Sequence, residues 1–192
     1  LKLRLKCTHQ TAPHWPQHPA DHIFLKAMER AATEAHRPEA LRAQSTVWLA
    51  RELGMLVLLE RDEIDDSFAL VVEEPGIGGS RGRKVRADGM AVNLYLCRKH
   101  GAGAAVAPRG ASEEAAALAW SMWAATRLEP VLTTDPSAAL PAALEVIEGH
   151  LSAGREWLIA PRFTVGDLNV AGALRESSDL LLDYPRTRGW LA

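Results

Sequence analysis

The run Phe163-Thr164-Val165-Gly166-Asp167-Leu168 limits the folding choices of this chain more than any other segment. A threonine followed three residues later by a carboxylate can satisfy two helix-end amides reciprocally. The Thr164 oxygen accepts from the amide of Asp167, and the Asp167 carboxylate accepts from the amide of Thr164. Phe163 and Leu168 flank the box as a hydrophobic staple, so the spacing predicts a helix over 164–176 with its start and entry angle fixed together. Behind the cap, Leu168, Val170, Ala171, Gly172, Ala173 and Leu174 are apolar nearly all round and mostly small, which suits a helix packed tightly in the middle of a bundle. Such a rod needs other helices around it. For Asp167 the cap reading outweighs a catalytic one, because the capping box is the commoner use of this spacing.

The remaining segments are read by period and punctuation. Leu1 to Lys6 alternates leucine with cation, which predicts a strand. Pro13, Pro16 and Pro19 exclude regular structure to about Asp21, after which Ile23, Phe24, Ala27, Met28 and Ala31 follow helical spacing to about His36. A helix is expected from Pro38 to Gly54, with Gly54 placed to end it, then a buried strand over Met55 to Leu59. Residues 73–89 combine clustered glycines with Arg81, Arg83, Lys84 and Arg86, and read as an irregular basic loop with one short strand around Val85. From Met90 every substantial segment reads as helix: Met90 to His100, Ala111 to Glu129, about Pro141 to Ser152, and the capped helix. Leu140, Leu144, Ile147 and Leu151 mark the buried face of the third. The Gly, Ala and Pro-rich stretch Gly101 to Gly110 is the expected domain boundary.

Charge and cysteine usage exclude several function classes. Lys plus Arg at 22 against Asp plus Glu at 24 gives a net charge of -2, so the chain has no cationic excess with which to hold a nucleic-acid backbone. No apolar stretch is long enough to cross a bilayer. Cys7 and Cys97 lie far apart without a C-x-x-C spacing, which supports no disulfide framework and no cysteine-rich metal site, and makes the cytoplasm the expected compartment. His9, His14, His18 and His22 lie near Cys7, but ligands at the 14/18/22 spacing line up only on a continuous helix, which Pro16 and Pro19 forbid; no metal is expected. Gly76 to Lys84 misses both nucleotide-binding signatures, though its cations could meet the carboxylates of an anionic peptide.

Trp157 to Val170, followed by Tyr184-Pro185 and Gly189-Trp190-Leu191, resembles the C-terminal helical domain of cytosolic glutathione transferases. Upstream, Gly89 to Leu96 with Arg98-Lys99-His100-Gly101 resembles the helix that closes that family's glutathione-binding domain. Pro108, the Glu113-Glu114-Ala115 run and Trp120-Ser121-Met122-Trp123 resemble the start of its helical domain. The likeness runs from about Val85 to the last residue. In the N-terminal half Leu1-Lys2-Leu3 resembles the family's first strand and Val47 to Gly54 its first helix. The expected class is therefore α+β, mostly α: a reduced thioredoxin-like part over 1–101 with an insertion at about 9–40, then an all-α bundle over 102–192.

The resemblance implies glutathione as co-substrate, an apolar electrophile as second substrate, and a homodimer. It places the thiol-activating residue after the first strand, where Thr8 and Cys7 stand, with Ser45 a more distant alternative. The family's Val-Pro step is matched by Val85-Arg86, and its acidic-Ser pair by Asp88-Gly89, so Val85, Asp88 and Gly89 are the expected glutathione contacts. Arg86 supplies no low-cost cis bond, Gly89 no hydroxyl, and Val85 stands too near Asp88 for the usual intervening strand and turn. Trp120 and Trp123, three apart on one helix face with Arg127 four beyond, could border the second substrate or form part of a dimer seam; core packing is the more usual role of such pairs. The alternative to an enzyme is a binding or structural module that keeps the helical scaffold without the catalytic apparatus.

Overall fold

The computed structural model describes residues 2–8, 38–62, 70–74, 83–87, 89–134, 136–175 and 177–192. The helix expected over 23–36, the four N-terminal histidines, the glycines of 76–82 and Asp88 lie outside the described residues. Two compact units divide the chain, Leu1–Val92 and Asn93–Ala192.

The first unit contains a four-stranded sheet in the order β2-β1-β3-β4, built from β1 (Lys2–Thr8), β2 (Leu56–Asp62), β3 (Leu70–Glu74) and β4 (Arg83–Ala87). β1 runs antiparallel to β2, from Lys2 opposite Asp62 to Thr8 opposite Leu56, and parallel to β3, from Leu3 beside Leu70 to Lys6 beside Glu73. β3 and β4 pair antiparallel, Leu70 with Ala87 and Glu74 with Arg83. The basic loop expected over 73–89 is corrected at its start, where Glu73 and Glu74 finish β3, and the short strand expected around Val85 is present as β4. The strand for which there is no room after Val85 lies before it, as β3. Helix α1 (Pro38–Glu52) buries Val47, Leu49 and Ala50. It ends as expected at Gly54, whose φ of 64° is left-handed. Gly54 N–H donates to the Arg51 carbonyl and Met55 N–H to that of Ala50, a Schellman pair that satisfies the last turn.

Helix α2 (Gly89–His100) carries buried residues at 90, 92, 93, 96 and 97, one stripe at helical spacing. Next come α3 (Gly110–Trp123), a π turn over Ala124–Leu128 and α4 (Glu129–Thr134), which together extend the helix expected over 111–129. Pro130 accounts for the π turn: it has no N–H to donate, and its ring crowds the carbonyl four residues back, so the backbone widens. The Glu129 N–H accordingly reaches back five residues to the Ala124 carbonyl, and the Thr126 hydroxyl donates to the Met122 carbonyl at 2.7 Å.

Helix α5 (Pro136–Ser152) starts earlier than expected and contains Pro141 inside it, at the cost of one ladder bond. Its expected face holds, with Leu140, Leu144, Ile147 and Leu151 all buried. Helix α6 (Val165–Leu174) is buried at every position except Gly172 and Ala173. After a short 3-10 turn (Ser178–Leu181), α7 (Pro185–Leu191) closes the chain. The first turn of α7 is capped from α5: Glu148 accepts from the amides of Arg186 and Thr187 at 3.0 and 2.8 Å and from the Thr187 hydroxyl at 2.8 Å.

Gly101 ends α2 where a side chain has no space. A Cβ there would clash with the Cys97 carbonyl oxygen and lie 2.6 Å from the Ala107 Cβ. Gly101→Ala is therefore expected to cost about 1–3 kcal/mol, as overpacking does. Urea unfolding should show a lower midpoint at unchanged slope; an unshifted midpoint would contradict the close approach.

Candidate functional site

Asp167 is 0% exposed and its carboxylate is the point on which the helical unit converges. Oδ2 accepts from the Thr164 amide at 3.0 Å and the Thr164 hydroxyl at 2.8 Å, closing the capping box. Oδ1 accepts from the Leu158 amide at 2.8 Å and the Trp190 indole N–H at 3.2 Å. Of the first pair, the bond from the Thr164 amide is the one the spacing predicts, and the hydroxyl bond to Oδ2 is additional to it. The second pair comes from the segment before α6 and from α7, and sequence spacing carried no sign of it. Every contact donates to the carboxylate, so Asp167 is an acceptor fixed in place and touches nothing that could serve as substrate.

A second polar line crosses the bundle beside it. Asn93 Nδ2 donates to Asn169 Oδ1 at 2.7 Å, Asn169 Nδ2 to Ser121 Oγ at 2.8 Å, and Ser121 Oγ to the Ala117 carbonyl at 2.6 Å, tying α2, α6 and α3 together. Arg162 forms a third clamp. Its Nε donates to the Ala105 carbonyl at 2.9 Å, Nη2 to that of Ala107 at 3.1 Å, and both Nη atoms to the Glu113 carboxylate. The hydrogen bonds from Arg162 and from the Arg109 amide hold the Glu113 carboxyl below its ordinary range.

Trp120 packs edge-on against Trp123, ring centroids 5.4 Å apart, and against His150 at 5.1 Å. His150 Nε2 bonds the Leu158 carbonyl at 2.9 Å. Burial first, then the Arg155 charge, push the imidazole pKa down against the opposing pull of that hydrogen bond and of Asp167. Neutral His150 then donates from Nε2, so the Leu158 peptide is held at both ends. Trp120 and Trp123 are thus brought together as expected, in the company of a histidine that the sequence reading did not single out. Arg127 is exposed within the π turn, where the widened backbone removes the regular i,i+4 relation to Trp123 on which its grouping rested.

The residues expected to meet glutathione lie in the first unit. Val85 sits in β4 opposite Val72, which stands beside Leu5 of β1, and Ala87 stands opposite Leu70, beside Leu3. Gly89 opens α2 just beyond that end of β4. β1 runs parallel to β3, so Cys7 and Thr8 fall toward the other end of the sheet, level with Val57 and Leu56. Thr8 is five residues along β1 from the Leu3 row, roughly 16 Å at strand rise. The register thus leaves Val85 at mid-sheet, in the Leu5 row, with Gly89 beyond one end and Thr8 at the other, so Gly89 and Thr8 stand at opposite ends. Ser45 is buried on α1. Cys97 is buried at the C-terminal turn of α2, where desolvation pushes its thiol up to about 12. Among the described residues no group of His, Cys, Asp and Glu could hold a metal ion, and no helix is long and apolar enough to cross a membrane.

No protein-family model and no curated protein matches the sequence. Among solved structures, the chain is similar to a glutathione transferase from Methylococcus capsulatus strain Bath, at 15% identity and a TM-score of 0.57, over 98% of this chain and 90% of that one. It is similar to Ure2p5 of Phanerochaete chrysosporium, cocrystallised with 1-(S-glutathionyl)-2,4-dinitrobenzene, at 16% identity and a TM-score of 0.56, over 81% and 83% of the two chains. It also matches a possible glutathione S-transferase from Rhodopseudomonas palustris at 22% identity over 57% of this chain; there it spans 62% of the other chain's length, and the TM-score of 0.48 carries no argument. These likenesses are of fold: the mostly helical chain is built like a glutathione transferase, with that fold's C-terminal helical bundle.

Asp167→Ala leaves four donors, three of them buried, without their acceptor and is expected to destabilise the chain by about 4 kcal/mol in urea unfolding; a loss under about 1 kcal/mol would contradict the hub. In a Cys7→Ser background, Cys97 is expected to stay unmodified by a disulfide reagent at mildly alkaline pH until the chain is unfolded, since a thiol raised to about 12 offers almost no thiolate. Rapid modification of the folded chain would show the thiol to be accessible.

Proposed function

We propose that this chain is a glutathione transferase-like protein that holds glutathione on a thioredoxin-like N-terminal part and joins its thiol to an apolar electrophile. The observation that supports this reading is the fold shared over 98% of the chain with a glutathione transferase. The glutathionyl dinitrobenzene bound by the similar Ure2p5 is the product expected of that chemistry. In the reaction the glutathione thiol gives its proton to solvent or a nearby base and the thiolate attacks the electrophilic carbon. The new C–S bond forms as the leaving group departs with its electron pair. Val85, Asp88 and Gly89 are the proposed glutathione contacts, and Trp120 and Trp123 the border of the second-substrate pocket. The same reading carries a cytoplasmic homodimer.

A second reading is favoured by a specific feature, the sheet register that sets Thr8 and Cys7 toward the end of the sheet opposite Gly89. With no activating hydroxyl or thiol beside Gly89 among the described residues, the chain would be a binding or structural module on the same scaffold.

Retention on immobilised glutathione, followed by an assay with 1-chloro-2,4-dinitrobenzene, separates the two. The enzymatic reading predicts retention and turnover, with Asp88→Ala weakening retention about tenfold or more through the lost charge-assisted contact. Thr8→Val should lower kcat if Thr8 assists the thiolate, and leave it unchanged if the solvent-exposed thiol ionises unaided. Retention without turnover leaves the binding module; the absence of both removes glutathione from the account.

A further inference from the structure

The place of β1 between β2 and β3 suits one kind of strand. β1 alternates Leu3, Leu5 and Cys7 with Lys2, Arg4 and Lys6, so the two sets fall on opposite faces of the sheet. In register, Lys2 stands opposite Asp62, Arg4 opposite Glu60 and Lys6 beside Glu73, a carboxylate for each cation. On the other face Leu5 lies between Leu59 and Val72, Cys7 is opposite Val57, and Leu3 lies between Leu70 and Arg61. A slip of one residue would set leucines against the carboxylates, so charge and hydropathy fix the same register.

The path of the chain does not tie β1 to its own sheet. β1 lies inside the sheet, between two strands that follow one another in sequence. β2 and β3 run antiparallel and are joined through residues 63–69, whereas no sheet partner of β1 is nearer in sequence than Leu56. Residues 9–37 separate β1 from α1, a length that reaches roughly 100 Å at full extension. The same residue pairs form whether strand and slot belong to one chain or to two, so exchange sacrifices no sheet contact. Closing the short connection between β2 and β3 costs less entropy than closing the long one to β1, which leaves the slot open until a β1 arrives.

We propose that two copies of this chain exchange β1, each inserting its first strand between β2 and β3 of the other. The proposal rests on the homodimer reading above and says how that dimer is joined. In a pair of chains the partner's β1 is held at about the same effective concentration as the chain's own, so the second copy competes for the slot on equal terms. The exchanged strand gives the interface main-chain ladders on both of its sides, with the three charge rows to set partner and register. Cys7 and Thr8 are then supplied to each sheet by the other copy.

Charge reversal on the two sides of the slot tests this in the full chain. One variant carries Lys2→Glu with Arg4→Glu, the other Glu60→Arg with Asp62→Lys. Each alone sets like charges opposite one another and is expected to lower the urea midpoint by roughly 0.5–1 M. Refolded together, exchanging chains place unlike charges in both slots of the mixed dimer, and the midpoint is expected to return to that of the parent. Chains that keep their own β1 gain nothing from mixing, so a mixture without recovery overturns the proposal, as do variants that each keep the parent's midpoint. If a variant alone does not fold, folded protein recovered only from the mixture is the supporting result.

A second measurement needs no change of charge. With Cys97→Ala and Val57→Cys, the introduced thiol stands opposite Cys7. A short bis-methanethiosulfonate is expected to give a product of twice the chain mass on a denaturing gel, and none without Val57→Cys. A bridge within one chain, or no bridge at all, overturns the exchange. Sedimentation of the parent keeps the failures apart: a monomer removes the homodimer reading and the exchange with it, whereas a dimer that fails these tests removes the exchange alone.

Discussion

A carboxylate removed from water with four donors aimed at it holds the helical unit of this protein together. An uncompensated buried charge would be costly, and Asp167 is tolerated because both of its oxygens are satisfied twice over. The donors come from three places along the chain: the start of α6, the segment before it, and α7. One side chain thereby fixes where α6 begins, how the chain approaches it, and where the C-terminus docks. Glu148 repeats the device on a smaller scale at the first turn of α7, where burial raises its carboxyl pKa but the Thr187 and Arg186 amides and the Thr187 hydroxyl outweigh it and hold it below the ordinary range. α7 is too short to be stable alone, and the two carboxylates together with packing on α5 account for its order.

Around this hub, small residues let the helices approach and polar pairs set their register. α3 meets α6 where Ala117 faces Gly166: a Cβ on Gly166 would lie 3.4 Å from the Ala117 Cα and within clashing distance of Ile159. The Asn93, Asn169 and Ser121 line then fixes rotation about that contact, because a shifted helix would leave buried amides without partners. Arg162 and the Val165 amide together take the carbonyls of Ala105, Val106 and Ala107, pinning the path from α2 to α3.

How much of this was legible in the sequence depended on the range of the interaction. The cap of α6, the Schellman end of α1 and the buried face of α5 were readable because each is set within a few residues of itself. Leu158, Trp190 and His150 were not, because their partners lie outside their own turn or helix and nothing in their local spacing marks them. The helix was expected to end at Glu129, but the rod widens into a π turn and continues past Pro130, which no local period marks. Strand β3 was missed because Leu70, Val71 and Val72 form too short a run to stand out beside a glycine-rich stretch. Strand direction was beyond reach altogether. Alternation along Leu1 to Lys6 says that the segment is extended, but not which way it runs beside its neighbours, and that direction decides where Cys7 and Thr8 fall. The scaffold was thus legible from local rules, whereas the placement of Cys7 and Thr8 turned on a non-local one.

The most direct test of the hub is native-state hydrogen exchange at the amides of Leu158 and Thr164. Neither N–H belongs to a helical ladder; each donates to Asp167. If Asp167 holds the bundle together, both amides exchange only through global unfolding, with protection equal to that of the most protected amides of α6. Exchange at the rate of a surface turn, while α6 stays protected, would mean that the carboxylate is not what holds the bundle together.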